Sequence, residues 1–95
     1  MKTRLSRAAL VEARDARRWY RQRNPTTASD FQDEYVRVRR LIQMWPSSGT
    51  DVGLGFRRLM MHGFPYSLVY RVEVNVAVIV AVAHTSREPG YWLDR

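Results

Sequence analysis

The chain has 95 residues, enough for one small domain with a single hydrophobic core and too few for a second domain or a large enclosed substrate cavity. Its 16 lysine and arginine residues outnumber nine acidic residues, and the resulting charge of +7 predicts an anionic partner. The absence of cysteine excludes disulfide bonds and thiolate metal sites.

The longest apolar run covers residues 76–83 and is far too short to span a bilayer, and the first residues lack the apolar centre of a signal peptide. We therefore expect one soluble, cytoplasmic domain over residues 1–95 that neither binds a membrane nor carries a cofactor.

A short strand and a long helix are predicted in the first 23 residues. The strand, Lys2–Leu5, is expected at the edge of a sheet. Over Arg7–Arg23, small and aromatic residues recur at intervals of three and four, which places them on one face of a helix: Ala9, Ala13, Ala16 and Tyr20. Pro25 ends this helix, because the residue before a proline is displaced from helical backbone angles.

An arginine stripe lies on the same helix, away from its alanine face. Five arginines fall within an arc of about 100° in helical geometry: Arg7, Arg14, Arg17, Arg18 and Arg21. Residues 1–48 hold eleven basic and five acidic side chains, whereas residues 49–95 hold five and four, so most of the net charge lies in this half. The stripe is either a solvated surface or a surface that binds phosphates or an acidic protein segment.

A second helix is predicted to begin near Thr26 or Thr27, whose hydroxyl would cap it. Asp33 and Arg37 are spaced for an ion pair on its exposed side. Its apolar residues form one stripe that is expected to be buried: Phe31, Tyr35, Val38, Ile42 and Trp45. The two helices are therefore expected to form an antiparallel hairpin.

Residues 46–55 are rich in serine and glycine and predict a loop between a helical half and a strand half. Three strands are predicted after it, over residues 56–62, 66–74 and 76–83. The middle strand alternates between an apolar and a mixed face, and the last is apolar throughout, as expected of a strand buried on both faces. The order β-α-α-β-β-β predicts an α+β fold in which the helix hairpin packs on one face of a small twisted antiparallel sheet.

Several segments have an order and spacing that a known family shares: Arg18-Trp19-Tyr20, Gly55-Phe56-Arg57-Arg58, Gly63-Phe64-Pro65-Tyr66, Tyr70 within its strand, and the closing His84-x-x-Arg87-x-Pro89-x-Tyr91-Trp92. With them the chain resembles, over essentially its whole length, the RelE/ParE superfamily of toxins from bacterial type II toxin–antitoxin systems. The resemblance implies a toxin that inhibits bacterial growth and is neutralised by a cognate antitoxin.

Two activities occur in this superfamily, and the sequence leaves both open. RelE-like members cut mRNA on the ribosome, and the residues nominated for that chemistry are Arg57, Arg71, His84, Arg87 and Tyr91. The strand half is almost neutral and lacks lysine, however, and its motifs are more similar to ParE-like members, which inhibit DNA gyrase without being enzymes. The resemblance favours a gyrase-directed toxin, with mRNA cleavage or a non-toxic, antitoxin-binding role as alternatives.

Hydrophobic residues make up 45% of the chain, and one thin layer of helices cannot bury all of their side chains. Part of this apolar surface is therefore expected to form an exposed groove. Antitoxins of the resembled family wrap such surfaces with an amphipathic helix. The residues expected to bind the antitoxin combine the groove with the arginine stripe: Leu10, Arg14, Arg17, Arg18, Trp19, Arg21, Met60, Met61 and Trp92. Tyr91 and Trp92 have an alternative role as a lid on the core, and His84 has one as a structural hydrogen-bonding group.

Overall fold

Two helices and five strands form the fold in the computed structural model, which describes residues 1–95. In chain order they are β1 (Lys2–Leu5), α1 (Arg7–Arg23), α2 (Pro25–Met44), β2 (Thr50–Gly53), β3 (Phe56–Met60), β4 (Tyr66–Glu73) and β5 (Val76–His84). The predicted α+β class and order of elements are confirmed, with β2 as an additional strand. Neither helix is long and apolar enough to cross a membrane.

Asn24 separates the two helices and caps both. Its backbone N–H donates to the carbonyl of Tyr20 at the end of α1, and its side-chain Oδ1 accepts from the N–H groups of Thr26 and Thr27 at the start of α2. Pro25 occupies the first turn, where its missing N–H costs no hydrogen bond. The predicted cap at Thr26 or Thr27 is therefore wrong, because the Asn24 amide oxygen already reaches both free N–H groups.

The ion pair on α2 also differs from the predicted one. Arg37 Nε lies 2.7 Å from Oε1 of Glu34 rather than pairing with Asp33. The second carboxylate oxygen of Glu34 accepts from the backbone N–H of His62, which follows β3. The hydrogen bond from Arg37 holds the pKa of Glu34 below its usual value, and the His62 N–H acts in the same direction. Glu34 consequently ties α2 to the connection between β3 and β4.

The sheet is mixed rather than wholly antiparallel. Its strand order is β1-β5-β4-β3-β2, and β1 runs parallel to β5, with Lys2 opposite Val76 and Leu5 opposite Ile79. The connections from β2 to β5 are short and fix those strands as antiparallel neighbours. No such connection joins β1 to β5, so the direction of the edge strand does not follow from the hairpins.

Part of the segment predicted as a loop forms β2. Thr50 lies opposite Arg58 of β3, and Asp51 lies opposite Arg57. The Asp51 side chain then accepts from the N–H of Gly53 in the turn that leads into β3. β2 has no apolar alternation of its own, and its pairing comes from the edge of β3, which is why the sequence does not predict it.

The helix hairpin covers one face of the sheet, as predicted. The core on this face joins both helices to alternate residues of β4 and β5, and its largest fully buried side chains are Phe31, Val38, Ile42, Leu68, Tyr70 and Ile79. Trp45 was expected in this core but is 64% exposed. The reason is that α2 ends at Met44 and the chain then leaves helical geometry.

A β-bulge in β5 changes which residues face the helices. Val69 of β4 pairs with Ala81, whereas the next residue, Tyr70, pairs with Ile79, so Val80 is an extra residue. Ile79 and Val82 consequently both lie in the helix-face core although they are three positions apart.

The C-terminal residues 85–95 cover part of the other face of the sheet. Trp92 packs there in a second core with Val69, Val78, Val80, Ala81 and Ala83. β5 is thus buried on both faces, as its continuous apolar sequence predicts.

Candidate functional site

A groove of about 500 Å³ lies between α1, the end of β5 and the C-terminal segment. We call it the α1 groove. Its walls combine acidic, basic and aromatic side chains: Glu12, Asp15, Trp19, Tyr20, Tyr66, His84, Arg87 and Tyr91. It therefore brings together three of the five residues nominated for mRNA cleavage and one of the residues expected to bind an antitoxin.

Aromatic packing builds one end of the α1 groove. Tyr20 stacks on Phe31 with 5.4 Å between ring centroids, and Phe64 meets both rings edge to face. Tyr66 packs edge to face on Phe31 and on His84. The aromatic residues of the Gly-Phe-Pro-Tyr segment thus fix the β3–β4 connection against the helices.

Glu12 is the centre of the hydrogen bonds in this groove. Its carboxylate accepts from Tyr91 Oη at 2.7 Å, from Arg95 Nη1 at 2.8 Å and from the backbone N–H of Val82 at 3.0 Å. The parallel strand β1 reaches only as far as Ile79 of β5, so Val82 has no strand partner on that side. Glu12 supplies the acceptor that this buried N–H requires and joins α1, β5 and the C-terminal segment.

Tyr91 is held as a neutral hydrogen-bond donor. Burial, together with its hydrogen bond to Glu12, raises the pKa of Tyr91 to about 12. A phenol with this pKa stays protonated near neutral pH and cannot accept the proton of a 2′-hydroxyl. The guanidinium carbons of Arg87 and Arg95 lie 3.9 and 4.9 Å from the centre of its ring, and this stacking helps to fix the ring in place.

His84 lies at the point where β5 ends and the C-terminal segment begins. Its Nδ1 accepts from the backbone N–H of Ser86 at 3.0 Å, and its ring packs on Tyr66 with 5.0 Å between centroids. These contacts define a turn and position the ring at the wall of the α1 groove.

Arg57 and Arg71 lie outside the α1 groove. Arg57 is directly opposite Tyr70 in the sheet, and its Nη1 donates to the carbonyl of Gly49 at 2.9 Å. Arg71 follows Tyr70 in β4 and so points to the opposite face, where its Nε binds Glu73 at 2.7 Å. The five residues nominated for mRNA cleavage are therefore not assembled around one site.

The predicted antitoxin-binding residues of α1 lie on two flanks of the helix. Helical geometry places Leu10 within the arginine stripe, whereas Trp19 lies about 100° away, on the flank that lines the α1 groove. Arg17 turns toward α2 and donates to Oε1 of Gln32 at 3.2 Å, so it is only partly available to a partner. The other nominated arginines are exposed: Arg14, Arg18 and Arg21.

The nominated residues outside α1 are divided between the two faces of the sheet. Met61 and Trp92 were expected at an exposed surface, but they are 3% and 8% exposed. Met61 belongs to the helix-face core and Trp92 to the core beneath the C-terminal segment. Met60 is exposed but does not line the α1 groove. The nine predicted contacts consequently do not form one continuous surface.

Glu12 was not among the predicted site residues, although the sequence contains a signal for it. It is an acidic residue in a strongly basic helix, and helical geometry places it only about 40° from Ala16 on the buried face. An acidic side chain at such a boundary requires donors from another element, and here these come from β5 and from the C-terminal segment.

Comparisons with known proteins identify the family of this chain and support its fold. The family model described as the ParE toxin of the type II toxin–antitoxin system, parDE, matches residues 3–89. The chain belongs to this family. A solved chain from the chromosomal ParDE TA system of P. aeruginosa has a similar structure, with a TM-score of 0.76 and 19% sequence identity over 88% of this chain and 95% of that chain. The comparison with curated proteins gives no match.

The family match covers only some of the residues that form the α1 groove and its hydrogen bonds. Residues 3–89 of this ParE-family chain include Glu12, His84 and Arg87 but end before Tyr91 and Arg95. Family membership therefore accounts for the fold and for the assignment to a type II toxin–antitoxin system. The hydrogen bonds that Glu12 makes to the C-terminal segment are observed in the structure alone.

Proposed function

We propose that this ParE-family protein inhibits bacterial growth by interfering with DNA gyrase and that a cognate antitoxin neutralises it. The proposal is supported by family membership. It is also supported by one structural observation, which is that the residues nominated for RNA cleavage are separated from one another. Arg57 and Arg71 have other partners on opposite faces of the sheet, and Tyr91 is fixed as a donor to Glu12. Acid–base chemistry on a 2′-hydroxyl requires these groups within hydrogen-bonding reach of one substrate. Their separation favours a toxin that acts by binding.

The exposed flank of α1 supports the antitoxin part of the proposal. Leu10 and Val11 are 39% and 45% exposed, and Arg14 and Arg18 are exposed beside them. An amphipathic antitoxin segment with an apolar stripe bordered by carboxylates would match this surface in both hydrophobicity and charge. We infer that this flank is the first contact of the antitoxin and that the α1 groove receives its neighbouring residues.

The target is tested by inducing the toxin without its antitoxin and measuring incorporation of labelled thymidine and labelled methionine over the first minutes. A gyrase-directed toxin should stop DNA synthesis before protein synthesis. An mRNA-cleaving toxin should stop protein synthesis first, and that order would contradict the proposal. Undisturbed growth would identify a family member that binds an antitoxin without being toxic.

The antitoxin surface is tested by reversing one charge. Arg14→Glu should slow association with the antitoxin by about tenfold at low salt, and by less as salt is raised, because it removes electrostatic attraction at an exposed position. Arg40→Glu is the matched control, since Arg40 is also exposed but lies on α2. Equal effects of the two variants would show that only the net charge matters and would contradict a specific surface on α1.

A further inference from the structure

A second, smaller pocket lies beneath the C-terminal segment, on the face of the sheet away from the helices. We call it the C-terminal pocket. It has a volume of about 130 Å³, and its apolar floor comes from Val69 and Ala83. Its lining residues also include four whose side chains carry hydrogen-bond donors: Arg58, Thr85, Arg87 and Trp92. It shares His84, Arg87 and Tyr91 with the α1 groove but none of that groove's acidic residues.

The charges around this pocket are unbalanced. No carboxylate lines it, and none of the four ion pairs of the protein includes Arg58 or Arg87. Arg87 is oriented by stacking on Tyr91, with 3.9 Å from its guanidinium carbon to the ring centre, and this contact leaves its charge unneutralised. Two guanidinium groups therefore border a small cavity without an anionic partner.

One residue that lines this pocket carries an unpaired donor. Trp92 is 8% exposed, and its indole Nε1–H is buried without a hydrogen-bond acceptor. It is the one buried side-chain polar atom of the protein without a partner. A buried donor is destabilising when it is left unpaired, so an acceptor that reaches this N–H would be stabilised.

We propose that the C-terminal pocket binds a single phosphate group. A phosphate group carries about 1.5 to 2 negative charges near neutral pH and so balances two guanidinium groups better than a carboxylate, which carries one. The planar fork of arginine matches phosphate oxygens, and the Trp92 N–H and Thr85 hydroxyl offer further donors. The volume corresponds to about four water molecules, which suits one phosphate group and is below the size of a pocket for a nucleoside.

The experiment uses the ¹⁵N-labelled full-length chain and inorganic phosphate as the probe, with the three tryptophan indole N–H signals as reporters. Trp19 and Trp45 are 49% and 64% exposed and serve as internal controls. Phosphate should shift the Trp92 signal saturably and leave the other two in place. Sodium chloride and sodium acetate at the same ionic strength should shift it little. Equal shifts in all three signals, or an equal affinity for acetate, would overturn the proposal.

Substitutions at the two guanidinium groups complete the test. Arg58→Ala and Arg87→Ala should each weaken phosphate binding by about tenfold or more, because each removes charge-assisted hydrogen bonds. Arg40→Ala, at an exposed arginine outside the pocket, should leave the affinity unchanged. Should an alanine variant fail to fold, Arg58→Lys keeps the charge but loses the planar fork and should still bind more weakly. Unchanged affinity in folded Arg58 and Arg87 variants would overturn the proposal.

The source of the phosphate is distinguished by a 5′-phosphorylated dinucleotide. A dinucleotide that binds at least as tightly as free phosphate, and only when it carries the 5′-phosphate, assigns the pocket to a nucleic-acid end. Binding of inorganic phosphate alone assigns it to the free ion. Both results depend only on this pocket and are independent of the gyrase proposal.

Discussion

Tyr91 donates a 2.7 Å hydrogen bond to Glu12, a residue 79 positions earlier in the chain. This bond, together with the one from Arg95, attaches the C-terminal segment to the first helix. It lies at the wall of the α1 groove and beside the C-terminal pocket, since Tyr91 lines both. The position of the C-terminal segment therefore influences the shape of both sites.

Two substitutions that remove these hydrogen bonds should lower the free energy of unfolding by different amounts. Tyr91→Phe is expected to lower the free energy of unfolding by about 1.5 kcal/mol, because one hydrogen bond to a charged group is lost. Glu12→Ala should cost about 2–3 kcal/mol, because it also leaves the Val82 N–H without an acceptor and removes the carboxylate that binds Arg95. Urea unfolding at pH 7 measures both. Asp15→Ala is the control: Asp15 lines the same groove but accepts no hydrogen bond there, and an equal loss for it would contradict the assignment.

Tyr91 should also make the protein sensitive to alkali. Its folded pKa of about 12 lies above the ordinary value of 10.0, so the fold favours the protonated phenol. This contribution is complete below pH 10, decreases as the unfolded chain ionises, and is lost as pH rises through the folded pKa. Tyr91→Phe should therefore flatten the decline of unfolding free energy between about pH 10 and 12. An unchanged decline would show that other groups cause it.

Glu34 should confer sensitivity to acid. Its folded pKa lies below the ordinary value of 4.5 because Arg37 and the His62 N–H stabilise the carboxylate. The stabilisation is present above the unfolded pKa and is lost as pH falls through the lower, folded pKa. Glu34→Gln should reduce the loss of stability between pH 5 and pH 3, measured by chemical unfolding at each pH. Glu88→Gln, at an exposed residue without an ion pair, should leave that loss unchanged.

Gly49 is required by the close approach of the chain to Tyr70. Its N–H donates to Tyr70 Oη at 3.0 Å, and a Cβ at this position would lie 2.6 Å from that oxygen and 3.0 Å from the carbonyl of Arg58. Gly49→Ala should lower the free energy of unfolding by about 1–3 kcal/mol through this overlap. Ser48→Ala, the exposed neighbour, should change it by less than about 0.5 kcal/mol. Similar melting curves for the two variants would contradict the packing argument.

Substitution of Asn24, the residue that separates the two helices, should lower the stability of the fold. Asn24→Ala removes the acceptor for two N–H groups of α2 and should cost about 0.5–2 kcal/mol of unfolding free energy. Thr27→Ala tests the cap that the sequence suggests and should cost less, because the Thr27 side chain makes no capping hydrogen bond. Asn24→Asp, which keeps the acceptor, should restore most of the stability. A larger loss for Thr27→Ala would reverse the assignment.

Periodicity and chain-breaking residues predict most of this fold. The apolar residues of α1, α2 and β5 lie where their spacing places them, because each has many packing partners and few alternatives. β2 and Trp45 were predicted wrongly for the opposite reason. The pairing of β2 depends on the edge of β3, and the exposure of Trp45 depends on where α2 ends. Neither is determined by a local pattern.

The candidate site was less predictable because its residues come from distant parts of the chain. His84, Arg87 and Tyr91 were identified from their family motif, and they do line one groove. Their roles depend on Glu12, which no motif includes, and on the bulge at Val80, which determines the faces of β5. Sequence spacing predicts the periodic face of an element but not the partners that another element brings to it.

The interior position of β5 in the sheet determines when the sheet can form. β5 lies between β1 and β4 and is synthesised after both, so the first strand has no partner until residues 76–79 exist. Such distant pairing is slow compared with helix formation, and the helices can form earlier without a sheet to cover. A nascent chain consequently lacks the assembled α1 groove until residues 76–84 have left the ribosome, so the two helices are available before the groove that they help to form.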